Sequence, residues 1–383
     1  MKVLLGGIPL GCDNIGDEAI IACVVKMLKA SLPDVELTVA TADPETAARL
    51  GVAVVPPYGF AGCGLEGFAE TVHRQDAYVW CGATGLSDYP SVALDLLKVA
   101  QEAGIPTFVW GVGMDDELNP VFFKASGKKR LLLSLFGLVG WYERRLRTKL
   151  ARRISTILSR CRGVWLRDPQ SAEMLAKMGF SGAKVAADTA ILMEARDSRL
   201  AREASPSSKS SPSSAALGLC ISTQRPVSDL EGLKKMIAAV RAAGVQVLGI
   251  PMNPKTDRAL LERLGVECIA GDTPEAVLDA AAGCSVVLSS RLHLLILAAN
   301  VGTPILGIAR GSKLANWLAN FGRTVEGSVS DCDWEKVTEH VLDALKDRGD
   351  WDAVRAAAYE RLNARLETAR AEFIKGLEGC HGR

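Results

Sequence analysis

The sequence predicts an α/β protein made of two Rossmann-like domains, each a parallel sheet covered by helices, with a ligand cleft between them. Three observations predict it. Short apolar runs alternate with helix-length stretches through both halves of the chain, as parallel strands joined by crossover helices require. A Ser- and Pro-rich segment, ARDSRLAREASPSSKSSPSS at 195–214, interrupts that rhythm. It has almost no large apolar side chains to bury, so it reads as a linker. Finally, 383 residues, 48% of them apolar, exceed what one domain normally holds.

The elements follow in order. Residues 2–8 form a strand and 15–30 a helix with Ile20, Val24, Met27 and Leu28 at helical spacing. Residues 36–40, 52–55, 77–80 and 107–111 read as strands, with helices at 43–50 and 91–103; Gly104 supplies a C-terminal stop. Strands at 162–166 and 183–186 flank a helix at 169–178. After the linker, strands at 215–222, 246–250, 268–270, 285–289 and 305–308 alternate with helices at 229–243, 256–264, 274–282 and 290–300. The tail from Trp334 is helical and charged. The domain limits are therefore 1–194, 195–214 for the linker, 215–345, and 346–383 for a helical tail.

Lys+Arg 45 against Asp+Glu 44 leaves a net charge of +1. That balance argues against nucleic acid as a partner. Ten scattered cysteines include no C-x-x-C pair and read as small buried hydrophobes in a reducing compartment. The N-terminus, MKVLLGGIPLG, is a first buried strand rather than a secretory signal. No window is long and apolar enough to span a bilayer. The expected location is cytoplasmic, with peripheral attachment at the inner face of the plasma membrane as an option.

The sharpest constellation lies at 285–313, SVVLSSRLHLLILAANVGTPILGIARGSK. A buried strand runs into Ser289 and Ser290, either of which can cap a helix. Arg291 and His293 then fall in its first turn, where unpaired N–H groups and the dipole favour anions. An arginine there offers a bidentate donor for phosphate or carboxylate, and a histidine can move a proton near neutral pH. The plainer reading is a buried histidine donating to a carbonyl.

This S-R-x-H run, followed by G-x-P and a distal lysine, resembles the C-terminal signature of the polysaccharide pyruvyl transferase family. Other stretches resemble that family in the same order: DNIGDEAI at 13–20, the glycine turn and acid at 82–88, and the G-x-G at 111–113. Further on come LRDPQS at 166–171, Ala187-Asp188, ISTQRP at 221–226 and IPMNPKTD at 250–257. The likeness runs from the first residue to about residue 325. It implies a GT-B-like arrangement and transfer of an enolpyruvyl unit from phosphoenolpyruvate to a sugar, forming a pyruvate ketal. Arg225 and Arg291 would grip the donor's phosphate and carboxylate, helped by Ser290 and Lys313, and His293 would transfer the proton. Asn14, Asp17, Glu18, Asp88 and Asp188 would meet the acceptor, a glycan or lipid-linked glycan. No cofactor or metal is required. Two departures stand out. The glycine turn reads Cys81-Gly82-Ala83-Thr84-Gly85 rather than three consecutive glycines. The lysine is preceded by Ala309-Arg310-Gly311-Ser312 instead of an aromatic and an acid. Both bear on the acceptor more than the donor.

Simpler readings stay open for several of these residues. Asp13 or Asn14 can cap the first helix while Asp17 and Glu18 complement its dipole. Asp168, before Pro169, reads as a helix cap, as does the Asp331-Cys332-Asp333 triplet, and Asp188 as a loop cap. Residues 124–162 hold twelve Lys and Arg against one acid, Glu143, around the apolar run LLLSLFGLVGWY. That segment is either a core-packed helix with a basic outer face or a surface for anionic membrane. Two other functions share the architecture: a nucleotide-sugar glycosyltransferase, for which Glu267 or Asp272 could hold a ribose, and a non-catalytic envelope-assembly protein.

Overall fold

The computed structural model describes residues 1–116, 118–194, 215–223 and 226–380; the linker 195–214 and Arg225 lie outside them. The chain divides into two compact units. The first comprises Met1–Cys12, Val24–Asp188 and Ala364–Arg383; the second comprises Asp13–Cys23 and Thr189–Asn363.

The first unit holds a seven-stranded sheet in the order β3-β2-β1-β4-β5-β6-β7. Its strands are β1 (Lys2–Gly6), β2 (Glu36–Ala40), β3 (Ala53–Val55), β4 (Ala77–Cys81), β5 (Thr107–Val112), β6 (Gly163–Leu166) and β7 (Lys184–Val185). Every pairing is parallel. The helices between them are α1 (Ile15–Ser31), α2 (Pro44–Leu50), α3 (Phe68–His73), α4 (Gly85–Asp88), α5 (Pro90–Glu102), α6 (Gly127–Leu135), α7 (Val139–Leu158) and α8 (Pro169–Lys177). Central strands β4 and β5 are buried at every residue. That is why they appear in the sequence as unbroken apolar runs and not as alternating ones.

The second unit repeats the plan with six parallel strands, β10-β9-β8-β11-β12-β13. These are β8 (Ala216–Cys220), β9 (Gln246–Gly249), β10 (Glu267–Cys268), β11 (Val286–Ser289), β12 (Ile305–Ala309) and β13 (Gly327–Ser328). Helices α9 (Leu230–Ala242), α10 (Thr256–Arg263), α11 (Pro274–Ala282), α12 (Leu292–Asn300), α13 (Ser312–Leu318) and α14 (Trp334–Lys346) accompany them. Leu217, Leu219, Leu233, Ile237, Val286 and Leu288 form the centre of its core. Both sheets share the doubly wound strand order, in which ligands collect at the carboxyl ends where the order reverses. In the second sheet that point lies between β8 and β11.

The last helix, α15 (Trp351–Glu378), runs 28 residues. Its Phe373 is fully buried and stacks on Trp110 of the first sheet, with ring centroids 4.6 Å apart and planes 17° from parallel. The charged tail is thus a core element: its closing residues, Ala364–Arg383, belong to the first unit. Asp168 and Asp333 cap α8 and α14 by accepting from the amides of Ser171 and Lys336, as their places in the sequence suggest. All ten cysteines are free thiols, and burial pushes Cys161 and Cys284 up to about 11. No helix of the described residues is long and apolar enough to cross a membrane.

Candidate active site

The site grows from the ends of β8 and β11. Ser289 and Ser290, fully buried, do not cap α12, because both hydroxyls are engaged elsewhere. Ser289 Oγ accepts from the Arg291 amide at 2.9 Å. Ser290 Oγ accepts from the Ser222 amide at 2.7 Å and so ties the two strand ends together. Arg291 takes the cap position with extended backbone, φ −102° and ψ 118°, and the helix begins at Leu292. Arg291 therefore precedes the first turn, and His293 is its second residue.

Arg291 is anchored by Asp257, at the start of α10. Its Nε and Nη2 donate to the two carboxylate oxygens at 2.8 and 2.7 Å. Asp257 is fully buried and also accepts from the Asn253 amide at 3.0 Å. Asn253 Oδ1 in turn accepts from the Thr256 amide at 2.7 Å and fixes the turn that presents Asp257. Burial works to lower the Arg291 pKa, but the paired carboxylate outweighs it and holds the guanidinium above its ordinary value. The arginine is thus permanently charged, its planar guanidinium held in place by the carboxylate.

The loop before α1 joins the same unit. The Ile15 amide donates to the Met252 carbonyl at 3.1 Å, and Lys255 pairs with Asp13 at 2.7 Å on the surface. Gly16 then lies flat against the histidine. A methyl group there would sit 2.2 Å from His293 Nδ1, 2.6 Å from Cγ and 2.9 Å from Cβ, closer than carbon atoms approach. Asp17 follows, 3% exposed, accepting from Asn14 Nδ2 at 2.7 Å. Burial raises its pKa above the ordinary carboxylate value, while His293, the Asn14 hydrogen bond, Lys313 and Arg291 pull the other way. A buried carboxylate, an imidazole and two cations therefore share one field at the carboxyl edge of the sheet, an arrangement suited to binding a polyanion and moving a proton.

Residues 14–312 match the family described as polysaccharide pyruvyl transferase. The chain belongs to that family. The match reaches into both units and includes Asn14, Gly16, Asp17, Asp257, Arg291 and His293, while Lys313 lies one residue beyond it. No curated protein sequence matches the chain. Among solved structures, the Anabaena protein HepE, in complex with UDP and glucose, is 14% identical over 99% of this chain and 100% of its own, with a TM-score of 0.58. UDP-GlcNAc 2-epimerase from Neisseria meningitidis, bound to UDP-GlcNAc, is 13% identical over 99% and 100%, with a TM-score of 0.56. The glycotransferase of kitacinnamycin is 11% identical over 98% of each chain, with a TM-score of 0.58. At these identities the likeness establishes the GT-B-like fold.

The other pyruvyl transferase motifs fall as follows. Asn14, Asp17, Glu18, Ser290, Arg291, His293 and Lys313 all belong to the second unit, and Asp88 and Asp188 to the first. Glu18 is half-buried, its amide bonded to the Asn14 carbonyl. In the first unit Arg167 is buried between Asp168 (3.4 Å) and Asp188 (3.5 Å). Its guanidinium presses on Gly113, where a Cβ would come within 2.3 Å of Nε. This explains the glycine of the G-x-G segment as a close approach. Asp88 accepts from the Thr84 hydroxyl and its carbonyl from Asn119 Nδ2 at 3.1 Å. Asp257 and Gly16 carry roles that reading the sequence missed, as does Arg310, whose Nη1 donates to Ser222 Oγ at 3.1 Å. The only signals were the aspartate closing the 250–257 stretch and the glycine of the 13–20 stretch.

Three outcomes follow directly from this geometry. Ala83, standing where the family pattern has glycine, has φ +61°. Ala83→Gly therefore stabilises the first unit by about 1 kcal/mol in a urea titration, because a Cβ in the left-handed region costs that much. Gly16→Ala drives its methyl group into the His293 ring and displaces it, and is expected to lower turnover about 100-fold, with circular dichroism unchanged. Asp17→Asn raises stability near neutral pH. A carboxyl whose folded pKa is raised is harmless below its unfolded value and destabilises as pH rises through the folded one. The advantage of the variant in melting temperature is thus absent in acid and appears on going to neutral pH.

Proposed function

We propose that this family member transfers the enolpyruvyl unit of phosphoenolpyruvate to two hydroxyls of one sugar in a cell-envelope or exopolysaccharide glycan. The products are a pyruvate ketal and inorganic phosphate. The observation that carries the reading is His293 packed on Gly16 beside the buried Asp17, with Arg291 anchored two residues earlier. Phosphoenolpyruvate carries about three negative charges, and fixed cations offset much of the cost of removing it from water.

The steps balance as follows. A proton from His293 adds to the methylene carbon as the π pair forms the C–H bond. C2 becomes electron-poor, and the first sugar hydroxyl adds there and releases its proton. The second hydroxyl adds to C2 as the C–O bond to phosphate breaks. Two hydroxyl protons are released, one replacing the proton given to the methylene and one leaving on phosphate. A single imidazole can serve both directions of transfer. Arg291 and Lys313 supply positive charge toward the donor, and Arg225 extends that role. Asn14, Asp17, Glu18, Asp88 and Asp188 remain the residues proposed to meet the acceptor.

The test is phosphate release from phosphoenolpyruvate with a panel of pyruvylatable glycans, beside calorimetric binding of phosphoenolpyruvate alone. Acceptor-dependent release supports the reading. Absence of both binding and release, with turnover of a nucleotide sugar instead, overturns it in favour of glycosyl transfer.

A further inference from the structure

Residues 124–162 carry twelve Lys and Arg and the single acid Glu143, in a chain of net charge +1, so the remainder is net acidic. The structure shows what this segment does with its apolar residues. α7 buries side chains only in its second half, at Leu150, Ile154, Ile157 and Leu158. α6 buries none. Leu131 is 66% exposed, Leu132 59%, Leu135 73%, Phe136 70%, Leu138 44% and Trp141 52%. Nine large hydrophobic side chains are exposed among the described residues, and seven of them fall between 121 and 141. A core-packed helix therefore accounts for the end of α7 and not for α6 or the turn at Gly137.

We propose that α6 and the start of α7 form a docking surface for an anionic bilayer. The apolar side chains enter the boundary between headgroups and acyl chains, and the cations on either side sit among the headgroups. Lys128, Lys129 and Arg130 precede the apolar turn, and Arg144, Arg145 and Arg147 follow it, so positive charge rims it from both directions. The run is too short to span a bilayer. Trp141 and Tyr142 are the side chains that favour the interface. Each already carries a cation over its ring, Arg145 at 5.5 Å and Lys129 at 4.2 Å. Charge complementarity selects the occupant. A second copy of this chain would bring an equally cationic rim against the first, whereas anionic lipid supplies both hydrocarbon and countercharge.

The experiment is flotation of the full chain with vesicles of phosphatidylcholine, alone or mixed with phosphatidylserine, with tryptophan emission recorded on the same samples. The expected result is binding to the mixed vesicles about tenfold or more tighter than to phosphatidylcholine. It is weakened at high salt and accompanied by a blue shift that Trp141→Phe removes. Phe136→Asp and the pair Lys128→Glu, Arg130→Glu each reduce it by about tenfold or more. These positions are exposed, so folding is retained and is checked by circular dichroism. No binding to either vesicle overturns the proposal. So does binding indifferent to Phe136→Asp, which would be surface charge alone. A dimer by light scattering that Phe136→Asp dissolves would make a second copy the occupant and equally overturn it.

Discussion

Replacing His293 with alanine lowers acceptor-dependent phosphate release by about 100- to 10,000-fold, the range for removal of a positioned acid–base group, and leaves donor binding nearly intact. The split follows from geometry. In the proposed reaction the donor's charge is met by Arg291 and Lys313, which the substitution leaves in place. In the same proposal His293 gives the proton, and its ring lies against Gly16. Alanine also opens space there, so His293→Asn is the sharper variant: it keeps a planar polar side chain and cannot carry the proton. If the imidazole acts chemically, asparagine is as inactive as alanine, and the limb of the pH–rate profile that the histidine governs disappears. Recovery of turnover by asparagine, with the pH profile unchanged, would reduce His293 to a packing residue and remove the proposed proton path. Steady-state kinetics over pH, with calorimetry of phosphoenolpyruvate, separates the two.

The two sheets were legible in the sequence because their central strands are buried on both faces. AYVWC, ALGLC and VVLS stand out as apolar runs between glycine- and proline-rich turns. The edges were harder to read. β7, β10 and β13 are two residues each, too short to impose a period, and β13 left no signal. The last helix shows a different limit. Ala358, Leu362, Leu366, Ala369, Phe373 and Leu377 are all buried and recur every three or four residues, so a helix with an apolar face was readable. Its partner, the Trp110 and Trp165 surface, lies more than two hundred residues earlier, and periodicity names no partner.

The same distinction runs through the site. Arg291 and His293 were readable because a buried strand delivers them to a helix start, which is local information. Their supports were not. Asp257 lies 34 residues from Arg291, and Gly16 lies at the other end of the chain from His293. Asp17 was read as a dipole complement or an acceptor ligand. Its burial and coupling to His293, Lys313 and Arg291 arise only when the loop before α1 is drawn onto the second unit by the Ile15–Met252 hydrogen bond. Ser289 and Ser290 show the reverse case. Their type and place suit a helix cap, but a local bond from the Arg291 amide took the Ser289 hydroxyl and a tertiary bond from the Ser222 amide took that of Ser290.

The anchoring of Arg291 gives the largest expected change in stability. Asp257→Ala removes a carboxylate that is fully buried and accepts two bonds from the guanidinium. The arginine side chain, only 11% exposed, is left charged and unpaired, because its pKa is too high for it to neutralise. Breaking one side of such a pair costs about 3–5 kcal/mol, to be read from urea unfolding of the full chain. Removing both partners should cost much less, since most of that penalty is the stranded charge rather than the lost attraction. Asp257→Ala combined with Arg291→Leu is therefore more stable than Asp257→Ala alone, a coupling that a double-mutant cycle measures. Activity moves the other way. On the proposed reaction Asp257→Ala raises KM for phosphoenolpyruvate because the guanidinium is no longer held in plane, and the double variant, left with Lys313 and Arg225, binds the donor more weakly still. If the double variant were instead less stable than either single one, Asp257 would act through the Asn253 turn rather than through Arg291, and its part in orienting the donor-binding arginine would fall.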